Sequence, residues 1–305
     1  MTTNWKLGLG FSLLTVLMWG LLPVALKMIL EAMDPLTISW YRFSISALIA
    51  LLWYGRKRGA ALKSLLSAEH RVLSLIAVAA LLSNYLFYIW GLDHITPGAA
   101  QVLIQLAPLL FLTGSIVLFN ERLLRLQWLG VCVLIGGMLL FFHQRLTEVV
   151  LTSDTYLAGV ALIIGAAITW SIYGLAQKKL QAVHNAKDIL FLICITGTLL
   201  FWPLAKPQQI LSLNATELAL LVFLGINTII AYGSFGLAMS YWESSRVSAI
   251  LPLAPLLTLT FAYCLNQWTV ASIPTEPMDW LGIAGALLVV VGSAITALPK
   301  QRKAT

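Results

Sequence analysis

Apolar and polar residues alternate along this chain in long blocks. Apolar blocks of about 20 residues are separated by short polar or proline-containing breaks, and a helix needs about 20 residues to cross the hydrocarbon core of a bilayer. The ten blocks are residues 7–29, 36–54, 72–92, 98–119, 126–142, 157–177, 188–205, 217–239, 246–266 and 279–298. We therefore predict an all-α integral membrane protein with ten transmembrane helices, the third and fourth joined by a tight turn at 93–97.

The composition supports the lipid bilayer as the main partner of the chain. Its mean hydropathy is +0.89 and 10% of its residues are charged, whereas a soluble domain has about 25% charged residues. The net charge of +7 does not indicate nucleic-acid binding, because the basic residues lie in short loops between apolar blocks. Cys132, Cys194 and Cys264 lie singly in apolar blocks, which predicts packing and neither a metal site nor another cofactor.

Lysine and arginine are distributed unequally between alternate loops. The two termini and the loops after the even-numbered helices contain 15 of the 19 basic residues. The opposite loops contain only Arg145 and Lys206. Because loops rich in these residues stay in the cytoplasm, we expect both termini to be cytoplasmic. An even number of helices requires the same arrangement.

The second half of the chain repeats landmarks of the first half in the same order. The matching segments are 106–110 with 253–257 (Leu-Ala-Pro-Leu-Leu), 128–130 with 280–282 (Trp-Leu-Gly), and Trp19, Ala25 and Lys27 with Trp170, Ala176 and Lys178. Each half has five helices, an odd number, so the two halves must be inverted relative to each other in the membrane. The sequence therefore predicts two inverted five-helix repeats, residues 1–145 and 146–305.

Further residues occur in a recognisable order along the helices of the first half. They are Trp19, Gly20, Pro35, Arg42, Phe43, Gly91, Leu92, Pro108, Glu121 and Gly130. In these residues the chain resembles the EamA-type ten-helix branch of the drug/metabolite transporter superfamily. The second half departs from it, since Asn266 and Gln267 stand where the family usually has a glutamate. The resemblance implies a transporter of the cell inner (cytoplasmic) membrane that exports amino acids or other small metabolites.

Two predicted helices contain proline and polar side chains on one face. The residues are Gln101, Gln105 and Pro108 in the fourth helix and Ser248, Pro252 and Pro255 in the ninth. Proline frees the carbonyl one turn back, and such groups are tolerated in a membrane beside protein or a water-filled cavity. We expect the polar side chains to bind substrate and the prolines to break or gate the helices. Hydrogen bonding between helices is the alternative for the glutamines.

Amides and phenols occur at helical spacing in the third and eighth predicted helices. They are Asn84, Tyr85 and Tyr88 in the third and Asn227 and Tyr232 in the eighth. An unpaired polar group in hydrocarbon costs several kcal/mol, so these side chains must face the protein interior. We predict that they line a substrate site, and contact with a neighbouring helix remains the alternative.

Two tryptophans lie near the middle of their predicted helices, at matching positions of the two repeats. Tryptophan is more usual at the membrane interfaces. We therefore interpret Trp19 and Trp170, with Tyr173 close to the latter, as an aromatic wall of a substrate cavity. Such a wall suits apolar, aromatic or cationic substrates. Core packing is the alternative.

A few charged residues lie within or at the ends of predicted helices. Arg42 lies about six residues into the second helix, where a charge is a functional candidate by default. We predict a gating or structural role in a pair with Glu31 or Asp34, and attraction of a substrate carboxylate is the alternative. Glu121 ends the fourth helix as a gate residue or as part of an ion pair. Lys27 is predicted to extend its amine to the membrane surface.

Small residues recur at seven-residue spacing in two predicted helices. They are Gly130 and Gly137 in the fifth helix and Gly285 and Gly292 in the tenth. Glycine at such spacing lets helices approach closely. The contact is either within one chain or between two copies, and we expect a monomer or a weak homodimer.

These patterns favour a secondary transporter over an enzyme or a channel. The chain has no Walker A loop, HExxH or GxSxG motif, and its four histidines are dispersed. No filter-like segment indicates a channel. We predict export of small metabolites, above all bulky or aromatic amino acids, by alternating access around a central cavity between the repeats. The alternative substrate is a cationic or amphipathic drug-like compound, and a remote alternative is an intramembrane enzyme.

Overall fold

The structure is a computed structural model that describes residues 5–54, 59–119, 125–143, 154–242, 247, 250–268, 273–275 and 279–296. Within these residues all regular secondary structure is helical, so the predicted all-α class is confirmed. The helices are α1 (Trp5–Ile29), α2 (Pro35–Tyr54), α3 (Gly59–Leu65), α4 (Arg71–His94), α5 (Pro97–Leu103), α6 (Leu106–Phe119), α7 (Arg125–Phe141), α8 (Asp154–Leu180), α9 (Ala186–Phe201), α10 (Ala215–Tyr241), α11 (Ala254–Trp268) and α12 (Trp280–Thr296). Two 3-10 segments, Pro207–Ser212 and Leu251–Leu253, lie between them.

Five of these helices are long and apolar enough to cross a membrane: α1, α2, α4, α8 and α10. Shorter apolar helices occur in Pro97–Phe111, Arg125–Phe141 and Trp280–Gly292. The chain is therefore a multi-pass helical membrane protein. Helix α3 was not expected from the apolar blocks, because seven residues are too few to produce a periodic signal.

The fourth apolar block is one block in the sequence but two helices in the structure. Pro108 has no N–H to donate to the carbonyl of Ile104, four residues earlier. That carbonyl instead accepts from Ala107 N at 2.9 Å, and Gln105 N donates to Val102 O at 3.1 Å. These three-residue bonds end α5 and begin α6, so the break lies about one turn before the proline.

The ninth block is interrupted in the same way. A 3-10 segment, Leu251–Leu253, contains Pro252 and directly precedes α11. Pro255 lies in the first turn of α11, where the absence of a backbone N–H is tolerated. Both proline-bearing blocks therefore contain irregular backbone at the start of the Leu-Ala-Pro-Leu-Leu segment that they share.

The turn between α4 and α5 is short because each helix end is capped. Thr96 is the N-cap of α5, and its hydroxyl oxygen accepts from Ala99 N at 3.1 Å. Pro97 occupies the first turn of α5, a position that suits its fixed φ. The tight turn expected at 93–97 is therefore present.

Lys27 ties the end of α1 to the end of α4. Its Nζ donates to the carbonyl oxygens of Leu92, Asp93 and Ile95 at 2.8, 2.9 and 3.2 Å. Carbonyls at a helix C-terminus lack partners within the helix and carry partial negative charge, so an ammonium stabilises them. The amine predicted to extend to the membrane surface thus caps a helix.

The most extensive helix packing joins the first segment, α1–α7, to the second segment, α8–α12. The three largest contacts are α7 with α12, α4 with α8, and α1 with α10. Each of them crosses between the segments. The two segments are therefore interlocked and do not pack as separate bundles.

The contact of α7 with α12 brings the two backbones together at glycines. A Cβ on Gly137 would lie 2.6 Å from Val289 N, and one on Gly292 would lie 2.8 Å from Gly130 O. A Cβ on Gly285 would lie 2.8 Å from Gly137 O. We call these four glycines the glycine seam. The sequence allowed these glycines to meet either within one chain or between two copies. The structure shows the contact within one chain.

Candidate functional site

A cavity lies where helices of both segments surround the break between α5 and α6. It encloses about 90 Å³. A water molecule needs roughly 10–15 Å³ by this measure, so the cavity has room for several waters or for part of a small organic molecule. Its walls are formed by Trp19, Leu22, Arg42, Asn84, Tyr85, Tyr88, Gln101, Ile104, Gln105, Ala107, Pro108, Trp170, Tyr232, Leu251 and Ala254.

Most of the residues predicted for the site are brought together in this wall. Those that line it are Trp19, Arg42, Asn84, Tyr85, Tyr88, Gln101, Gln105, Pro108, Trp170 and Tyr232. Tyr173, Asn227, Pro252 and Pro255 are buried outside it. Two further predicted residues, Ser248 and Glu121, lie outside the described residues.

One side of the cavity is a continuous aromatic cluster. The ring of Trp19 meets that of Trp170 edge-on at 6.1 Å and that of Tyr232 at 5.5 Å. Tyr232 in turn lies 6.0 Å from both Tyr85 and Tyr173. Tyr173 is 1% exposed and supports the wall from behind. The two tryptophans therefore pack against the core and line the cavity at once, so the two interpretations of them are compatible.

The two glutamines at the helix break have different surroundings. Gln101 accepts from the Tyr88 hydroxyl at 3.0 Å and donates to the carbonyl of Trp19 at 3.4 Å. Gln105 donates to the carbonyl of Gln101 at 3.3 Å. Its Oε1 has no hydrogen-bond partner among the described residues. Gln101 thus ties helices together, whereas Gln105 retains an acceptor that nothing in the described chain satisfies.

Two asparagines tie the segments together in a reciprocal way. Asn84 of α4 donates to the carbonyl of Ala166 in α8 at 2.9 Å. Asn227 of α10 donates to the carbonyl of Met18 in α1 at 2.6 Å. Each amide therefore bonds to the backbone of a helix in the other segment. For the Nδ2 atoms of both asparagines, the structure therefore shows contact with a neighbouring helix, which was the alternative interpretation.

Arg42 is 3% exposed and lies against groups without charge. Its Nε donates to the Thr228 hydroxyl at 3.3 Å, and its guanidinium lies 4.3 Å above the ring of Tyr85. The expected pair with Asp34 is not formed, because Asp34 accepts from the backbone N–H groups of Leu36 and Thr37 and caps α2. Glu31 lies in a separate pocket with Lys27.

The sequence interpretation missed Thr228 and the apolar part of the wall. Thr228 is 1% exposed and hydrogen-bonds with both Arg42 and the Tyr85 hydroxyl. Its position next to Asn227 in an apolar helix was the available signal. No such signal existed for Leu22, Ile104 and Leu251, because the pattern of an apolar helix does not show which apolar residues face a cavity.

A helical membrane protein with a polar and aromatic cavity buried between two interlocked segments is, by fold and site, a membrane transporter. The cavity lies at the interface of the two segments, where carriers built from two halves bind their substrates. The chain belongs to the EamA-like transporter family, whose sequence model matches residues 6–143 and 157–298.

Similar proteins agree with this assignment. The uncharacterised inner membrane transporter YhbE of Escherichia coli is 34% identical over 96% of this chain and 91% of its own length. An uncharacterised transporter of Haemophilus influenzae is 33% identical over 96% of this chain and 95% of its own. A probable amino-acid metabolite efflux pump of Escherichia coli is 24% identical over 92% and 91%. A solved crystal structure shares the fold, with a TM-score of 0.66 and 21% identity over 95% of this chain and 96% of that chain.

Proposed function

We propose that this protein exports small metabolites, above all bulky or aromatic amino acids, across the cell inner membrane by alternating access. The observation that carries the proposal is the cavity whose wall combines Trp19 and Trp170, one from each segment, with amide and guanidinium groups. A zwitterion with an apolar side chain needs polar groups and an aromatic surface in one place. The cavity offers both.

The two segments are the moving parts of this proposal. We propose that they are inverted five-helix repeats, residues 1–145 and 146–305, with both termini in the cytoplasm. The family model matches the chain twice, once in each segment. The reciprocal hydrogen bonds of Asn84 and Asn227 support a relation of two-fold symmetry between them. Rocking of one repeat against the other would then open the cavity to each side in turn.

Relatives support amino acids as the class of substrate. A probable amino-acid metabolite efflux pump of Salmonella typhimurium is 23% identical over 93% of this chain. Cationic drug-like compounds are the competing class, since an aromatic wall also binds cations. The guanidinium of Arg42 in the same wall opposes that class, because two positive charges repel each other.

Counterflow in proteoliposomes tests the proposal. Vesicles preloaded with unlabelled phenylalanine should take up labelled phenylalanine without a pH gradient, because exchange through a carrier needs none. Trp170→Ala should lower this exchange. Trp128→Ala is the matched control, because Trp128 is 59% exposed on α7 and lies away from the cavity.

Two results would contradict the proposal. Exchange of a monovalent cationic dye in place of amino acids would favour the competing substrate class. Equal activity of Trp170→Ala and the wild type would remove the aromatic wall from the transport pathway. Accumulation only with a pH gradient would keep amino acids as the substrate and add proton coupling.

A further inference from the structure

Arg42 is a buried cation that has no matching anion in the part of the chain that the structure describes. No carboxylate of the described residues lies within ion-pair distance of its guanidinium. An isolated charge in a low-dielectric interior is strongly unfavourable unless it is paired or hydrogen-bonded. The position therefore needs a reason beyond packing.

The local contacts of Arg42 hold only one edge of the guanidinium. Nε donates to Thr228, and Tyr85 covers one face of the group. A guanidinium has five N–H donors in a planar fork that matches a carboxylate. Within the described chain the other donors have no hydrogen-bond partner, and Arg42 is part of the cavity wall. The fork is thus available on the side of the cavity.

Gln105 contributes a second unsatisfied group to the same wall. Its Oε1 is buried and lacks a donor among the described residues, which costs free energy unless a ligand supplies one. As far as the described residues show, the cavity therefore combines a cation without an anion and a hydrogen-bond acceptor without a donor. A carboxylate and an ammonium group are the complementary ligands.

We propose that Arg42 is the carboxylate-binding group of this cavity, so that the substrate must carry a carboxylate attached to an apolar or aromatic body. The inference rests on the proposed transport function and narrows its substrate class. Thr228 and Tyr85 position the guanidinium, and Gln105 accepts from an ammonium group where the substrate has one. Compounds whose only charge is positive are excluded by the same group.

Three ligands with one ring and different charges test this assignment. They are phenylalanine, 3-phenylpropionate and 2-phenylethylamine, which present a zwitterion, an anion and a cation. The readouts are the ligand-induced shift in the melting temperature of the purified full-length protein and inhibition of phenylalanine counterflow. The first readout does not depend on transport.

The wild type should bind the first two ligands and discriminate against the amine. Charge-assisted hydrogen bonds contribute about 1.5–3 kcal/mol, so Arg42→Gln should weaken binding of 3-phenylpropionate by about 10- to 100-fold. It should also remove the discrimination against 2-phenylethylamine. Arg42→Lys keeps the charge but loses the fork, and should retain part of the preference. It also controls for folding if Arg42→Gln is unstable.

The results separate this inference from the proposed function. Phenylalanine exchange with an unchanged preference for carboxylates in both Arg42 variants would overturn the assignment and leave the proposed function intact. Arg42-dependent binding of 3-phenylpropionate without any amino-acid exchange would support the assignment and overturn amino-acid export. Equal binding of all three ligands by the wild type would overturn the assignment.

Discussion

The two segments of this protein meet in two very different ways. At the glycine seam between α7 and α12, backbone approaches backbone so closely that no side chain fits between them. At the cavity, aromatic rings from both segments pack edge-on along one side, and about 90 Å³ beside them is unfilled. The first contact is built around glycines. The second contains amides, phenols and a guanidinium.

This difference shows that one contact holds the two segments together and that the other has space for a ligand. In a membrane, helices associate through close packing, because lipid is as apolar as the side chains. At the seam the helices pack so closely that there is no room for a ligand. The cavity gives up packing and contains polar groups that the described chain does not satisfy. Variants at the seam should therefore affect stability, and variants at the cavity should affect transport.

The largest expected effect is at the seam. Gly137→Val would drive a branched side chain into the backbone of α12, where even a Cβ lies 2.6 Å from Val289 N. Overpacking of this kind costs about 1–3 kcal/mol or more. We expect a marked fall in the melting temperature and in the yield of monodisperse protein, measured by thermal melts and size-exclusion chromatography in detergent.

The neighbouring glycine provides the control for this variant. A Cβ on Gly136 meets nothing within 4 Å, and the residue is exposed on the other face of α7. Gly136→Val should therefore leave the melting temperature nearly unchanged. Equal losses in the two variants would mean that the seam is not tightly packed.

The second effect is on transport without loss of the fold. Gln105→Leu removes the unsatisfied acceptor from the cavity wall and should abolish amino-acid counterflow while membrane insertion and the melting temperature are retained. Gln177→Leu is the matched control, because Gln177 is a buried glutamine of α8 that does not line the cavity. Normal counterflow by Gln105→Leu would exclude Gln105 from the site.

The third effect tests the amides that cross between the segments. Asn84→Ala and Asn227→Ala each remove one hydrogen bond to a carbonyl of the other segment. Hydrogen bonds between helices in membranes contribute about 0.6–2 kcal/mol, so each variant should lower the melting temperature modestly. The losses should add in the double variant, since the two bonds join different pairs of helices. Unchanged melting of both variants would mean that these two hydrogen bonds do not stabilise the contact between the segments.

The smallest effect concerns a third contact between the segments, outside the helices that cross the membrane. The rings of His70 and His184 meet at 4.8 Å. Desolvation lowers the pKa of His184, and the positive charge of His70 lowers that pKa further, while Asp188 opposes both. Glu69 lies 3.8 Å from His70. Because the unfolded chain binds the proton of His184 more readily, this contact loses stability as the pH falls through the ordinary histidine range.

A histidine substitution measures that interaction. His70→Gln removes the neighbouring charge and should raise the pKa of His184, which NMR titration of labelled histidine measures. Asp188→Asn should lower it. An unchanged pKa in His70→Gln would leave desolvation as the sole cause of the shift.

The sequence was sufficient to locate the long helices but not to show which helices pack together. Blocks of apolar residues predicted where α1, α4, α8 and α10 lie, because length and hydropathy are local properties of the chain. The break before Pro108 followed from the missing N–H of proline. The partners of interior polar side chains could not be predicted in this way. A polar residue in an apolar helix indicates only that its side chain faces inward.

The interior polar residues show this limit. Asn227 and Gln105 look alike in the sequence. Each donates to a carbonyl, and each has a buried side-chain oxygen without a partner among the described residues, but of the two only Gln105 lines the cavity. For Arg42, charges close in sequence favoured a pair with Asp34, which instead caps its own helix. Only the packing of α2 against α4 and α10 places the guanidinium against Tyr85 and Thr228.

Interlocking of the segments has a consequence for the order in which the protein is made. Helices α1–α7 leave the ribosome before α8 exists, so Asn84 enters the bilayer ahead of the carbonyl it binds. Gly137 likewise packs against α12, which is synthesised later. Until the second segment is inserted, Asn84 therefore lacks its hydrogen-bond partner and Gly137 lacks its packing partner. The contact between α7 and α12 therefore forms only after α12 has been synthesised and inserted.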